Sequence, residues 1–107
     1  MQNNNYRVEY LSLARSDVNE AVEYILNTLQ TPLAAERFVK NLDEKVLMLE
    51  KNPYIGATYK GNHRLSFEYR HVFVGNFTIF YVVFEEKQKK VEIHRIIYSA
   101  RNMDELI

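Results

Sequence analysis

The chain has 107 residues and a mass of 12.8 kDa, room for one domain, because two halves of that size could not each bury a stable core. Hydrophobic residues at 47% and charged residues at 26%, with three glycines and two prolines, exclude a disordered or low-complexity chain. There is no cysteine, hence no disulfide framework, thiolate nucleophile or cysteine-ligated metal; 14 basic residues balance 14 acidic ones, which argues against nucleic-acid binding mainly by neutralising phosphates, and direct sequence-specific DNA binding by this chain alone is not expected.

The apolar run Ile79 to Phe84 falls far short of the roughly twenty residues a membrane-spanning helix needs. The start, MQNNNYRVEY, lacks the apolar stretch of a secretory signal, so the expectation is a mature cytoplasmic protein with no membrane partner.

Taken in chain order, Tyr6, Val8 and Tyr10 alternate with Arg7 and Glu9, the period of a strand with one buried face, ending near Ser12. From Val18 the period changes. Val18, Ala21, Val22, Ile25, Leu26 and Leu29 recur at helical spacing, Ser16 reads as the cap, and Asp17 and Glu20 suit the positive end of the helix dipole. Thr31 and Pro32 read as cap and first residue of a second helix with an apolar stripe of Ala35, Phe38, Val39, Leu42, Val46 and Leu49, stopped by Asn52 and Pro53. So short a turn between the helices makes them an antiparallel hairpin.

A loop follows over residues 54 to 63, with Gly56 and Gly61. Three strands are then expected, about Leu65 to Val74, Phe77 to Phe84 and Val91 to Tyr98, in an antiparallel meander. The middle one, FTIFYVVF, is apolar on both faces and belongs inside the sheet. The expected fold is α+β: a single domain over residues 1 to 107, a helical hairpin against one face of a four-stranded, mainly antiparallel sheet.

Charge is distributed unevenly. Residues 1 to 59 carry six basic and eight acidic side chains, whereas residues 60 to 101 carry eight basic and four acidic, which gives the second part a positive surface for an acidic partner. No phosphate loop, dinucleotide fingerprint, HExxH or GxSxG motif is present, so no cofactor is expected. The spacing of His63, His71 and His94 matches no metal-ligand set, so no metal is expected either.

Two stretches carry more information. In the first, Arg70 is followed by the turn Gly75-Asn76-Phe77 and by Ile79, Phe80 and Tyr81; in the second, Ile93, Arg95, Ile96 and Tyr98 are followed by Arg101 and Asn102. Together with Pro32, Ala35 and the closing Asn52-Pro53, their order resembles the ParE and RelE superfamily of toxins from bacterial toxin–antitoxin modules. The resemblance implies a two-layer fold and a growth-inhibiting toxin, of the kind linked to plasmid stabilisation, held inactive by a cognate antitoxin whose segment packs along the toxin and over its sheet.

The resemblance leaves the target open. ParE-like members act on DNA gyrase, whereas RelE-like members are endoribonucleases that cut messenger RNA on the ribosome. RNA cleavage needs a proton acceptor, a proton donor and cations for the phosphate. Where the RNA-cleaving members carry an arginine after the aromatic that opens the central strand, this chain has Thr78. A reduced nuclease site could draw on Arg70, His94, Tyr98 and Arg101, yet in a regular strand His94 and Tyr98 share one face and Arg95 the other. The expectation is therefore a gyrase-binding toxin without its own active site, with Arg70, Arg95, Tyr98 and Arg101 as partner contacts. The alternatives are a RelE-like interferase and a toxin-fold protein that retains only antitoxin binding.

Overall fold

A computed structural model describes residues 5–60 and 67–101, and for Leu29 the backbone alone. The elements are β1 (Arg7–Tyr10), α1 (Ser12–Leu29), α2 (Pro32–Lys51), a 3-10 turn (Pro53–Ile55), β2 (Ala57–Thr58), β3 (Arg70–Val74), β4 (Phe77–Phe84) and β5 (Lys90–Tyr98). They form one sheet in the order β1-β5-β4-β3-β2, with FTIFYVVF at its centre. The meander β3-β4-β5 is antiparallel, while β1 joins β5 in parallel, an arrangement made possible by the two helices that carry the chain across between them. Among the described residues the sheet thus has five strands rather than four, because the segment read as a loop contributes β2, which pairs Ala57 with His71 and Thr58 with Arg70. The strand expected over about Leu65 to Val74 is shorter, beginning at Arg70: residues 67 to 69 lie before it, and Leu65, Gly61 and His63 fall outside the described residues. Among the described residues no helix is long and apolar enough to cross a membrane.

The hairpin packs on one sheet face. Ala14, Ala21 and Ile25 of α1 and Ala35, Phe38, Leu42 and Leu49 of α2 meet Val72, Val74, Phe77, Ile79, Tyr81, Val91, Ile93 and Ile96 in the main core. Leu26 and Val39, expected in the stripes, are exposed. The second helix runs as its signals indicate, with Pro32 in its first turn and Asn52 as C-cap. Thr31 marks its start without a side-chain cap bond; its carbonyl accepts from the Ala34 amide instead.

The first helix departs from expectation. It starts at Ser12, six residues before Val18, directly after the Leu11 amide donates to the Ile93 carbonyl at 3.0 Å. Ser16 is therefore inside the helix and caps nothing. Asp17 and Glu20 lie beyond the first turn, too far in to act on the helix dipole. The buried stripe is Ala14, Asp17, Ala21 and Ile25, and the acid inside it is what disguised the period.

On the other sheet face a smaller cluster forms around Tyr69, Phe80, Val82 and Ile97, with Tyr59 and Phe84 against it. Faces alternate regularly along β4, but β5 carries a bulge: Phe80 pairs with Arg95 and Tyr81 with Ile93, which leaves His94 as the extra residue. A bulge resets the inside–outside alternation. Ile93 and Ile96 consequently both point at the helices, three positions apart.

Candidate functional site

The bulge decides where the chemistry-bearing residues of β5 go. His94 turns to the outer face, Tyr98 to the helix side, and Arg95 reaches across the strand edge to α1. The expectation that His94 and Tyr98 share a face is thus corrected, since it assumed an unbroken strand.

His94 is 8% exposed and held at both ring nitrogens. Nδ1 lies 3.0 Å from the Tyr69 hydroxyl and Nε2 lies 3.1 Å from a Glu92 carboxylate oxygen. Glu92 in turn pairs with Lys90 at 3.0 Å, and these partners hold its carboxyl below the usual range against the opposing effect of burial. Around this chain of contacts lies a lattice of rings in edge contact, with Phe67 against His94 and Tyr69, and His71 against Tyr59 and Phe73. Burial pushes the pKa of His71 down, and among the described residues its buried Nδ1 has no hydrogen-bond partner.

Arg70 lies elsewhere. Its side chain donates to the Gly56 carbonyl at 2.8 Å and its guanidinium sits 4.9 Å from the centre of the Tyr54 ring. Beside it, the Tyr81 hydroxyl donates to the Pro53 carbonyl at 2.6 Å and accepts from the Gly56 amide at 3.0 Å. The exposed Glu85 carboxylate accepts from the hydroxyls of Tyr54 and Tyr6. These bonds push Tyr54 up to about 12 and hold Glu85 below the ordinary carboxylate range.

On the helix side, Asp17 grips the Arg95 guanidinium with both oxygens and also accepts from the Ile96 amide at 2.9 Å. It takes the place of a strand neighbour where β1 no longer runs beside β5. The Asp17 carboxylate raises the pKa of Arg95. Next to the pair a cavity of about 360 Å³ is lined by Glu20 and Tyr24 of α1, by Phe77, and by Tyr98 and Arg101. The rings of Tyr24 and Tyr98 are 6.1 Å apart, and Tyr98 also leans on Phe77. Thr78 is buried, its hydroxyl 2.7 Å from that of Ser99.

Of the residues singled out in the sequence, the structure brings together Arg95, Tyr98 and Arg101 at one groove. It sets Arg70 beside the 3-10 turn and His94 on the outer face. Asn102 lies outside the described residues. Sequence reasoning missed Asp17 and Tyr24 as members of the groove and Tyr69 and Glu92 as partners of His94. The spacing of Asp17, Ala21 and Tyr24, four and then three residues apart, did mark one helix face.

Known proteins give this geometry a context. A chain from the structure of the chromosomal ParDE toxin–antitoxin system of P. aeruginosa superposes with a TM-score of 0.66 at 18% identity, covering 90% of this chain and 98% of that one. A chain from the toxin–antitoxin complex RelBE2 of Mycobacterium tuberculosis superposes with a TM-score of 0.60 at 19% identity, covering 88% and 98%. No curated protein sequence matches the chain. Residues 8–103 match the profile of the ParE toxin of the type II toxin–antitoxin system parDE, and on that match over nearly the whole sequence, the chain belongs to the ParE toxin family.

Proposed function

We propose that this ParE-family toxin inhibits growth in the cytoplasm by docking on DNA gyrase, without bond-breaking chemistry of its own, and that a cognate antitoxin neutralises it by binding the toxin directly. The observation that carries the reading is the separation of the groups a nuclease would need. Arg70 is engaged with Gly56 and Tyr54, His94 is sandwiched on the outer face between Tyr69 and Glu92, and Tyr98 packs on Tyr24 and Phe77 on the helix side. A general acid, a general base and a phosphate-binding cation must all reach one scissile phosphate, within about 3 Å of the atoms they serve. Side chains on opposite sheet faces do not meet that requirement. Thr78 adds support, because a buried hydroxyl spent on Ser99 offers no charge to a phosphate.

Arg101 and Tyr98 are the partner contacts this reading favours, since both line the groove. Arg70 and Arg95 act mainly as braces that shape the surface. The test is a pair of assays on the purified toxin: supercoiling by DNA gyrase, and primer extension on translated messages. Inhibited supercoiling with intact messages is the expected result. Cuts at defined codon positions with unaffected gyrase would replace the reading with that of an interferase, and growth unaffected by antitoxin-free expression would indicate a fold kept only for antitoxin binding.

A further inference from the structure

We infer that the outer edge of β1 is a docking site for a second copy of this chain, and that two copies pair there as antiparallel strands about an axis at Val8. Such pairing is independent of the target on which the toxin acts.

Strand β1 ends the sheet, and among the described residues only β5 pairs with it. The amides of Arg7 and Leu11 point inward, donating to the Lys89 and Ile93 carbonyls at 3.0 Å each. Backbone groups alternate in direction along a strand, so Tyr6, Val8 and Tyr10 turn theirs outward. The Tyr6 amide is taken, donating to the Glu50 carbonyl of α2 at 2.7 Å. The Val8 amide and carbonyl, the Tyr10 amide and the Tyr6 carbonyl are left facing away from the sheet, with no backbone partner among the described residues. A row of such groups on an end strand is a template for another strand.

The residues of the strand select that other strand. About Val8, the segment Tyr6-Arg7-Val8-Glu9-Tyr10 mirrors itself, with a tyrosine at each outer position and opposite charges at the inner ones. A second β1, antiparallel and centred on Val8, sets Arg7 of each copy opposite Glu9 of the other and Tyr6 of each opposite Tyr10 of the other. Val8 exchanges amide and carbonyl bonds with its own copy, and the Tyr10 amide of each reaches the Tyr6 carbonyl of the other. Arg7 and Glu9 then face one another at a position without backbone bonds, where side chains across a ladder come closest. End strands guarded against pairing carry proline, like charges or a covering segment. This one carries charges that attract their own mirror image.

Within the single chain Arg7 Nε lies 3.0 Å from Glu9 Oε2, with the side chains 61% and 39% exposed. A pair this wet is worth little, so exchanging it for two equivalent pairs across the axis sacrifices little. On the helix beside β1, Leu47 is 55% exposed and lies within one turn of Glu50, whose carbonyl holds Tyr6. A second copy set against this edge would cover part of that apolar surface.

The experiment follows the full chain alone by sedimentation velocity as its concentration is raised, with circular dichroism confirming that each variant keeps its fold. The unaltered chain should pass from monomer to dimer. Arg7→Glu and Glu9→Arg each set like charges opposite one another on both sides of the axis and should weaken the dimer at least about fivefold. Combined, they restore opposite charges with the signs exchanged and should return it to within about twofold of the unaltered chain. Val8→Pro removes an outward amide that β5 does not use and should abolish the dimer. A chain that stays monomeric at every concentration would overturn the pairing, as would a dimer indifferent to the single reversals or not recovered by the double one. Amide hydrogen exchange gives a second readout: Val8 and Tyr10 should become protected as the dimer forms. Protection that appears only on adding a different protein, with no dimer, would assign the edge to that protein and overturn self-pairing.

Discussion

Asp17 of α1 and Arg95 of β5 form a two-pronged ion pair, Oδ2 to Nε at 2.7 Å and Oδ1 to Nη2 at 3.0 Å, with the carboxylate 6% exposed. The same carboxylate closes the open edge of β5 through the Ile96 amide, so helix and sheet are joined by three bonds to one residue. Removing one partner of a buried pair strands the other, typically at a cost of about 3–5 kcal/mol. Asp17→Ala should lower stability by roughly 3 kcal/mol, near the low end because Arg95 keeps some exposure. Chemical denaturation of the purified toxin measures this. An apolar double replacement, Asp17→Leu with Arg95→Met, should recover a large part of the loss; if it is as unstable as Asp17→Ala, the stranded charge is not the cause.

Gly56 shows a second dependence, in this case steric. A Cβ there would stand 2.4 Å from the Tyr81 hydroxyl and 2.6 Å from the His71 carbonyl, and the latter is backbone and cannot step aside. Gly56→Ala should therefore displace the 3-10 turn from β3. Tyr81→Phe keeps the ring and leaves the Gly56 amide and Pro53 carbonyl without their partner, a loss of about 1–3 kcal/mol. Thermal melts of the two variants should both fall, with Gly56→Ala also changing the amide spectrum around β3. An alanine variant as stable as the parent would mean the turn can move freely.

His71 predicts a pH dependence. Its folded pKa is lowered, so the folded state prefers the neutral ring, and the unfolded chain takes up a proton first as the medium acidifies. The stability it supports is complete above about pH 6.5 and is lost as pH falls through the interval between that value and the lower folded pKa. Denaturant titrations across pH 7 to 5 should show this slope, reduced in His71→Phe. An equal slope in the variant would assign the effect to other groups.

How much of this was legible in the sequence varies by element and for physical reasons. The second helix was readable from end to end because Pro32, Asn52 and Pro53 are local signals whose meaning survives any tertiary context. Strand β4 was readable because a segment apolar on both faces fits few places other than a sheet centre. The start of α1 was hidden by Asp17, a polar residue in a buried stripe, whose partner Arg95 is remote in sequence. The bulge at His94 was only half legible: the alternation of Val91 and Ile93 breaks at the polar pair His94-Arg95 before Ile96, but the register between β4 and β5 is a property of the pair and cannot be read from β5 alone. That one extra residue separates His94 from Tyr98, which an unbroken alternation would have placed on the same face.

The separation of His94 from Tyr98 has a consequence for activity. His94 is held by Tyr69 on one side and Glu92 on the other, with the Phe67 ring in edge contact with its own, and this is the geometry of a packed, hydrogen-bonded side chain rather than one open to a substrate. Gln keeps one donor and one acceptor at similar reach, so His94→Gln should fold with a modest loss of about 1 kcal/mol. Growth inhibition on antitoxin-free expression should stay within about twofold of the unaltered toxin once protein levels are matched. Arg101→Glu, by contrast, reverses a charge on the groove that the docking reading uses and should reduce inhibition at least about tenfold. A nuclease that relied on His94 for proton transfer would lose about 10²–10⁴-fold on its replacement. A harmless His94→Gln beside a crippled Arg101→Glu therefore separates contact from chemistry, and the reverse pattern would move the activity to the outer face.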